Sequence, residues 1–135
     1  MSELLGKFRL EGKVAIITGG AGLLGYQHAE AIAEVGGTPI LWDINSDEVL
    51  SKATELEKKY KTGCEGMTVD ITDSNSIKKA TDDILFKHQQ INILINNAAN
   101  DPKVTANSAG LGRLENFSIE DWHKDLDVGL MGAFL

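Results

Sequence analysis

Three glycines and one acidic residue have the spacing of a dinucleotide-binding site. The segment Gly20-Ala-Gly22-Leu-Leu-Gly25 matches the pattern G-x-G-x-x-G, and Asp43 follows 18 residues after Gly25. Glycines in such a loop permit a tight turn and let the backbone approach a pyrophosphate, while free N–H groups at the start of the next helix point at the phosphates. A carboxylate at Asp43 can accept hydrogen bonds from both hydroxyls of an adenosine ribose. A plain glycine turn would also match the pattern, so the flanking elements decide between the two.

The residues around Asp43 also bear on the choice between NAD and NADP. A carboxylate repels the 2′-phosphate of NADP, and a nearby cation is needed to bind that phosphate. The neighbours Ile44 and Asn45 carry no positive charge, and neither do Gly20 and Ala21 in the glycine loop. We therefore expect NAD rather than NADP.

Four apolar runs alternate with amphipathic stretches along the chain. The runs predict strands at residues 14–18, 39–43, 67–70 and 91–95. The amphipathic stretches predict helices over residues 22–35, from Asn45 or Ser46, from Asp73 and from Ser118. This alternation is typical of a parallel sheet with helices on both faces. We expect an α/β fold with a doubly wound parallel sheet, in which the glycine loop follows the first strand and opens the first helix.

Apolar residues at helical spacing predict which face of each helix is buried. The positions expected inside are Leu24, His28, Ala31 and Ile32 in the first helix; Val49, Ala53, Leu56 and Tyr60 in the second; and Ile77, Ala80, Thr81, Ile84 and Leu85 in the third.

Further motifs occur in a fixed order along the chain. They are Leu10-x-Gly-Lys-Val-Ala-Ile-Ile-Thr18, Thr18-Gly19-x-x-Gly22-x-x-Gly25, Asp70-Ile71-Thr72-Asp73 and Ile95-Asn96-Asn97-Ala98-Ala99. Over essentially its whole length the chain resembles the short-chain dehydrogenase/reductase family. The resemblance implies a Rossmann fold, NAD(P) binding and an oxidoreductase that transfers hydride between nicotinamide and an alcohol or ketone.

The resemblance also assigns expected roles to residues of the cofactor site. Asp70 and the backbone of Ile71 would bind the adenine, the backbone N–H of Leu24 would face the pyrophosphate, and residues 97–99 would line the cofactor. The full set of expected cofactor-binding residues is Thr18, Gly19, Gly20, Gly22, Leu23, Leu24, Gly25, Asp43, Asp70, Ile71, Asn97, Ala98 and Ala99.

The catalytic residues of that family are not found in this chain. The family uses a Ser, a Tyr-x-x-x-Lys pair and a helix Asn, but Tyr26 is followed four residues later by Glu30, and Tyr60 by Cys64. Gly129 stands at the position of the Asn. We therefore predict no catalytic residue here. We expect residues 1–135 to be an incomplete NAD(P)-binding Rossmann domain, a fragment without its C-terminal catalytic part and inactive alone.

Two other functions and one narrower assignment stay open at this point. A non-catalytic NAD-binding module needs no proton donor. The glycine spacing is also similar to that of sugar-nucleotide epimerases and dehydratases, although the segment Asn96-Asn97-Ala98-Ala99 favours the single-domain branch of the family. Three segments, residues 100–104, 112–117 and 127–135, resemble family members of bacterial surface-polysaccharide or flagellin-glycan pathways. The long loop from Asn100 to Asp121 supplies candidate substrate contacts, namely Asp101, Lys103, Asn107 and Arg113.

Composition limits the partners. Thirteen Lys and Arg against 20 Asp and Glu give a net charge of −7, which argues against nucleic acid and anionic membrane surfaces. A single cysteine, Cys64, and the lack of a signal-peptide pattern indicate a cytoplasmic protein. The three histidines have no metal-ligand spacing, so we expect no metal site. We expect a small-molecule substrate and, at full length, a homo-oligomer.

Overall fold

Four parallel strands form one sheet in the order β3-β2-β1-β4. The structure is a computed structural model that describes residues 6–100, Glu115 and residues 117–135. The strands are β1 (Val14–Thr18), β2 (Thr38–Asp43), β3 (Glu65–Thr68) and β4 (Ile93–Ile95). The helices are α1 (Leu23–Glu34), α2 (Ser46–Tyr60), α3 (Ser74–His88) and α4 (Ile119–Leu126), which continues into a π-helical turn (Asp127–Met131) and a last helical turn (Gly132–Phe134).

The central strand β1 is buried on both faces. Ala15 and Ile17 belong to the core cluster that includes residues of α1 and α2, whereas Val14 and Ile16 belong to the cluster that includes residues of α3. Successive side chains of a strand point to opposite faces of the sheet, so alternate residues of β1 pack into two separate hydrophobic clusters. The expected doubly wound parallel sheet is confirmed.

Three of the four residues predicted to form the inner face of α1, Leu24, His28 and Ala31, are exposed, and only Ile32 packs against the core. Leu24 is 65% exposed and His28 is also exposed, while Gly25, Ala29 and Ala33 are buried. These small residues recur every four positions and let the helix axis approach the sheet and the glycine loop. A Cβ on Gly25 would lie 2.1 Å from the carbonyl oxygen of Gly19. The close approach therefore excludes larger side chains from this face.

Leu85 on α3 also lies outside the core, with 42% of its surface exposed. Ala80 and Ile84 are the buried residues of that helix, and Ile77 packs against the same cluster. The inner face of α3 is therefore narrower than its apolar residues predicted.

Strand β3 begins two residues before its predicted position. It pairs with β2 through Glu65 opposite Ile40 and Thr68 opposite Asp43. Gly66 within it lies directly under α2, where an added Cβ would be 2.5 Å from the carbonyl oxygen of Val49. Glycine and glutamate are poor strand formers, so the local sequence gave no signal for this start.

Side-chain caps begin three of the helices where the sequence predicted. Asn45 accepts a hydrogen bond from the N–H of Glu48, Asp73 from that of Asn75, and Ser118 from that of Asp121. Each cap satisfies an N–H group that has no partner within its helix. Of the helices in the described ranges, none has the length and apolar character needed to cross a membrane.

Candidate functional site

A cleft of about 590 Å³ opens at the carboxyl ends of the four strands. From β1 the chain moves outward to β2 and β3, and then returns past β1 to form β4 on its other side. Ligands of open parallel sheets bind at such a reversal of strand order. The lining residues are Gly19, Gly22, Leu23, Leu24, Gly25, Trp42, Asp43, Ile44, Val69, Asp70, Ile71, Thr72, Asn97, Ala98, Ala99, Asn100 and Val128.

All but two of the residues expected to bind a cofactor line this cleft. The exceptions are Thr18 and Gly20, which are both buried. A Cβ on Gly20 would be 2.7 Å from Cβ of Leu41, so this glycine is required by packing against β2. The structure brings the other eleven together; their contact with a cofactor stays a prediction.

Thr18, at the end of β1, is hydrogen-bonded to the end of β4 and to the segment that follows it. Its buried hydroxyl accepts hydrogen bonds from the N–H groups of Asn97 (3.0 Å) and Ala98 (3.1 Å), and donates to the carbonyl of Ile95 at 3.4 Å. The Asn97 side chain donates back to the carbonyls of Thr18 (3.0 Å) and Gly19 (3.3 Å). These bonds fix the wall of the cleft that follows β4 against the glycine loop.

The loop after β1 depends on Gly19 as well. Its φ is +63°, and a Cβ there would lie 2.9 Å from Cα of Ala98. Only glycine adopts this left-handed conformation without strain and also leaves room for the β4 segment. The N–H of Gly22 donates to the carbonyl of Gly19 at 3.1 Å, which closes the turn just before α1 begins.

The Asp43 carboxylate is held by two backbone donors. Its Oδ2 accepts from the N–H of Ala21 at 3.1 Å, and its Oδ1 accepts from the N–H of Asn45 at 3.0 Å. Each carboxylate oxygen can accept further bonds, so the oriented group remains an acceptor for donors in the cleft. Of the described residues that line the cleft, two are acidic and none is Lys, Arg or His.

Asp70 is the second acidic residue of the lining. Its Oδ1 accepts hydrogen bonds from both the N–H (2.8 Å) and the hydroxyl (2.7 Å) of Thr72, and its own N–H donates to Oγ of Ser76 at 3.1 Å. The turn after β3 is therefore rigidly bonded, with Ile71 between the two bonded residues at the cleft surface.

Six lining residues were not among those expected: Trp42, Ile44, Val69, Thr72, Asn100 and Val128. Val69 and Thr72 flank the Asp70-Ile71 pair, and their positions follow from it. Val128 lies far along the chain and reaches the cleft because the last helical turn packs on Ile71. A Cβ on Gly132 would lie 2.8 Å from Cδ1 of Ile71. No local sequence pattern predicts this contact between distant segments.

The two tyrosines of the chain, Tyr26 and Tyr60, lie at the contact between α1 and α2 and are not among the residues that line the cleft. The hydroxyl of Tyr26 donates to Glu55 at 2.9 Å, and that of Tyr60 to Glu30 at 3.1 Å. Burial and the bond to Glu55 raise the pKa of Tyr26 to about 12, which makes its phenol a poor proton donor. Neither tyrosine is placed to exchange a proton with a ligand in the cleft.

Gly129 lies in the π-helical turn and is exposed, and a Cβ built on it would meet no atom within 4 Å outside its own stretch of backbone. The four loop residues expected to contact substrate, Asp101, Lys103, Asn107 and Arg113, lie outside the described residues.

The family model for short chain dehydrogenases matches residues 13–135. The chain belongs to the short-chain dehydrogenase family. It is 33% identical over 131 residues to D-threitol dehydrogenase of Mycolicibacterium smegmatis, covering 95% of this chain and 46% of that protein. It is 31% identical over 129 residues to 3-oxoacyl-(acyl-carrier-protein) reductase FabG of Aquifex aeolicus, covering 96% and 49%. The chain thus spans about half the length of the curated short-chain dehydrogenases that it matches.

Solved structures of the family share this fold. The NADPH-dependent 3-quinuclidinone reductase of Rhodotorula rubra is 28% identical with a TM-score of 0.81, over 99% of this chain and 48% of that one. The 3-ketoacyl-(acyl-carrier-protein) reductase of Brucella melitensis, complexed with NADH, is 25% identical with a TM-score of 0.78, over 93% and 47%. These neighbours bind nicotinamide cofactors of both kinds.

Proposed function

We propose that this chain is the NAD-binding part of a short-chain oxidoreductase that transfers hydride between nicotinamide and an alcohol or ketone carbon of a small-molecule substrate. The observation that supports this most is the Asp43 carboxylate, oriented by two backbone N–H donors at the lip of the cleft. In this proposal residues 1–135 form the NAD(P)-binding domain, and the whole protein is cytoplasmic and a homo-oligomer.

Each part of the cleft has a proposed partner on the dinucleotide. Asp43 accepts from the hydroxyls of the adenosine ribose, and Asp70 with the backbone of Ile71 binds the adenine. The start of α1, with Leu23 and Leu24, faces the pyrophosphate, because a helix N-terminus carries unpaired N–H groups and partial positive charge. Gly19, Gly22 and Gly25 keep the backbone close to the phosphates, and residues 97–99 line the remainder of the cofactor.

The preference for NAD over NADP rests on charge. The 2′-phosphate of NADP would lie beside the Asp43 carboxylate, and two unit charges at 4 Å repel by about 4 kcal/mol at the effective dielectric constant of a protein surface. No cation among the described lining residues offsets that repulsion. NAD lacks this phosphate, so its ribose hydroxyls can donate hydrogen bonds to the Asp43 carboxylate without the repulsion.

Hydride transfer to or from an alcohol carbon also requires a group that exchanges the hydroxyl proton. Tyr26 and Tyr60 are bonded at the α1–α2 contact, and neither has a Lys four residues later. In this proposal the chain binds and orients the cofactor, and the proton-exchanging residues lie outside these 135 residues.

Titration with NADH and NADPH tests the cofactor preference. The purified chain, Asp43→Asn and Asp47→Asn are compared; Asp47 is an exposed acid in the first turn of α2 and serves as the charge-matched control. The chain and the control should bind NADH at least tenfold more tightly than NADPH, because even a third of a repulsion of about 4 kcal/mol corresponds to about tenfold in affinity. In Asp43→Asn that ratio should fall sharply. Equal affinities in the unaltered chain would contradict the preference.

A second measurement separates binding from turnover. The chain is incubated with NAD and a panel of alcohols, and NADH formation is followed by absorbance. Binding without NADH formation is expected. Turnover by the chain alone would contradict the placement of the proton-exchanging residues elsewhere.

A further inference from the structure

The side chain of Asn100 connects the segment after β4 to α4. Its Nδ2 donates a hydrogen bond to Oδ1 of Asp125 at 2.8 Å. Asn100 lines the cleft, and Asp125 lies on α4 just before the π-helical turn that carries Val128, another lining residue. The bond therefore joins two walls of the cleft at its β4 end.

This contact fixes which way the amide of Asn100 faces. An ionised carboxylate can only accept hydrogen bonds, so the NH₂ group must be the one directed at Asp125. The carbonyl oxygen Oδ1 is then directed away from Asp125. Because Asn100 lines the cleft, Oδ1 is the part of its amide that is left to accept from an O–H or N–H donor on a ligand.

The strand order places this acceptor opposite the proposed ribose site. Asp43 ends β2, the glycine loop follows β1, and Asn100 follows β4, so β1 lies between the two side chains. Neighbouring strands are about 4.8 Å apart, which separates the ends of β2 and β4 by about 10 Å. A dinucleotide with its first ribose on Asp43 and its pyrophosphate on the start of α1 extends its second nucleoside toward Asn100. This step rests on the proposed function.

We propose that Asn100, oriented by Asp125, accepts a hydrogen bond from the second nucleoside of the cofactor, through a hydroxyl of its ribose or the amide of its nicotinamide. Asn100 is the binding residue, and Asp125 is a positioning residue that acts through it.

Three ligands and four variants test this assignment by calorimetry on the whole chain. ADP lacks the second nucleoside, ADP-ribose has the second ribose without nicotinamide, and NAD has both. Asn100→Leu and Asp125→Leu remove the contact at similar side-chain size, whereas Asp125→Asn keeps an oxygen that can accept from Asn100. Asp127→Leu is the control, an exposed acid two residues further along that loses the same charge.

Both leucine variants at the contact should bind NAD about fivefold more weakly and bind ADP as the unaltered chain does, as expected for loss of one hydrogen bond. Asp125→Asn can accept from Asn100 but can also donate to it and so allows the flipped amide, and its loss should be smaller than that of Asp125→Leu. Asp127→Leu should retain full affinity. A matching loss for ADP-ribose identifies the ribose as the donor, and a loss for NAD alone identifies the nicotinamide amide.

Two results would overturn the assignment. Equal weakening of ADP would mean that the contact only supports the fold, and unchanged NAD affinity in both leucine variants would mean that Asn100 binds nothing. An unaltered chain that binds neither ADP nor NAD would instead refute the proposed function itself.

Discussion

The backbone N–H of Ala21 donates a hydrogen bond to Oδ2 of Asp43 across 3.1 Å, and this bond ties the glycine loop after β1 to the end of β2. The carboxylate proposed to bind ribose therefore also shapes the loop proposed to bind pyrophosphate. Ala21 is buried, so its N–H has little access to water as a substitute.

Replacing Asp43 by Ala should lower the free energy of unfolding as well as the affinity for NAD. The change removes the acceptor of the buried Ala21 N–H, and an unsatisfied buried donor costs about 1–3 kcal/mol. Denaturant unfolding measures the loss. Asp83→Ala, at an exposed acid on α3, is the control and should change stability by less than about 0.5 kcal/mol. Equal stability of the two variants would contradict the role given to the Ala21–Asp43 bond.

Alanine at Gly25 and at Gly129 should have opposite effects. A Cβ at position 25 would lie 2.1 Å from the carbonyl oxygen of Gly19, so the glycine loop or α1 must move, at a cost of about 3 kcal/mol. At position 129 a Cβ meets no atom within 4 Å outside its own stretch of backbone, and alanine should stabilise the helical turn by up to about 1 kcal/mol. Denaturant unfolding of both variants gives the comparison, and a stable Gly25→Ala protein would contradict the close packing of α1.

The hydroxyl of Thr18 should matter more than its methyl group. Thr18→Val is similar in shape but leaves the N–H groups of Asn97 and Ala98 without their acceptor, which should cost about 2–4 kcal/mol. Thr18→Ser keeps the hydroxyl and should lose about 1 kcal/mol for the missing methyl. Amide hydrogen exchange at residues 97 and 98 reports the effect locally. Protection that is the same in Thr18→Val as in the unaltered chain would contradict it.

Alkaline pH should reveal the bond between Tyr26 and Glu55. Burial and this bond raise the pKa of Tyr26 from 10.0 to about 12, so between those values the native chain holds a proton that the unfolded chain has lost. A raised native pKa gives stability that is present below pH 10 and is lost as pH rises toward 12. The free energy of unfolding should fall over this window, and less steeply in Tyr26→Phe. Parallel curves for the two proteins would contradict the raised pKa.

Strong local signals in the sequence predicted much of the fold. Strand β1 has the predicted bounds because a β-branched apolar run lies between polar and glycine residues. The caps at Asn45, Asp73 and Ser118 also begin their helices as predicted, because a capping side chain acts within three residues of itself. Such features are local, and a short stretch of sequence contains them.

Features that depend on close packing between distant segments were not predictable. The inner face of α1 consists of Gly25, Ala29 and Ala33, and periodicity assigned the face to larger residues instead. Thr18 and Gly20 belong to the glycine motif, but both are buried and neither lines the cleft. Asn100 and Val128 reach the cleft through contacts made by α4 and the turns that follow it, and no spacing rule connects these residues to the glycine loop.

The most direct test of the central claim maps where NAD contacts the chain. Backbone amide resonances are recorded by NMR on the isotope-labelled chain during titration with NAD. The account predicts shifts concentrated at the glycine loop and the start of α1, at Asp43, at Asp70 and Ile71, and at residues 97–100. Shifts confined to the outer surface of α2, or no shifts at saturating NAD, would contradict a dinucleotide site at the carboxyl ends of the strands.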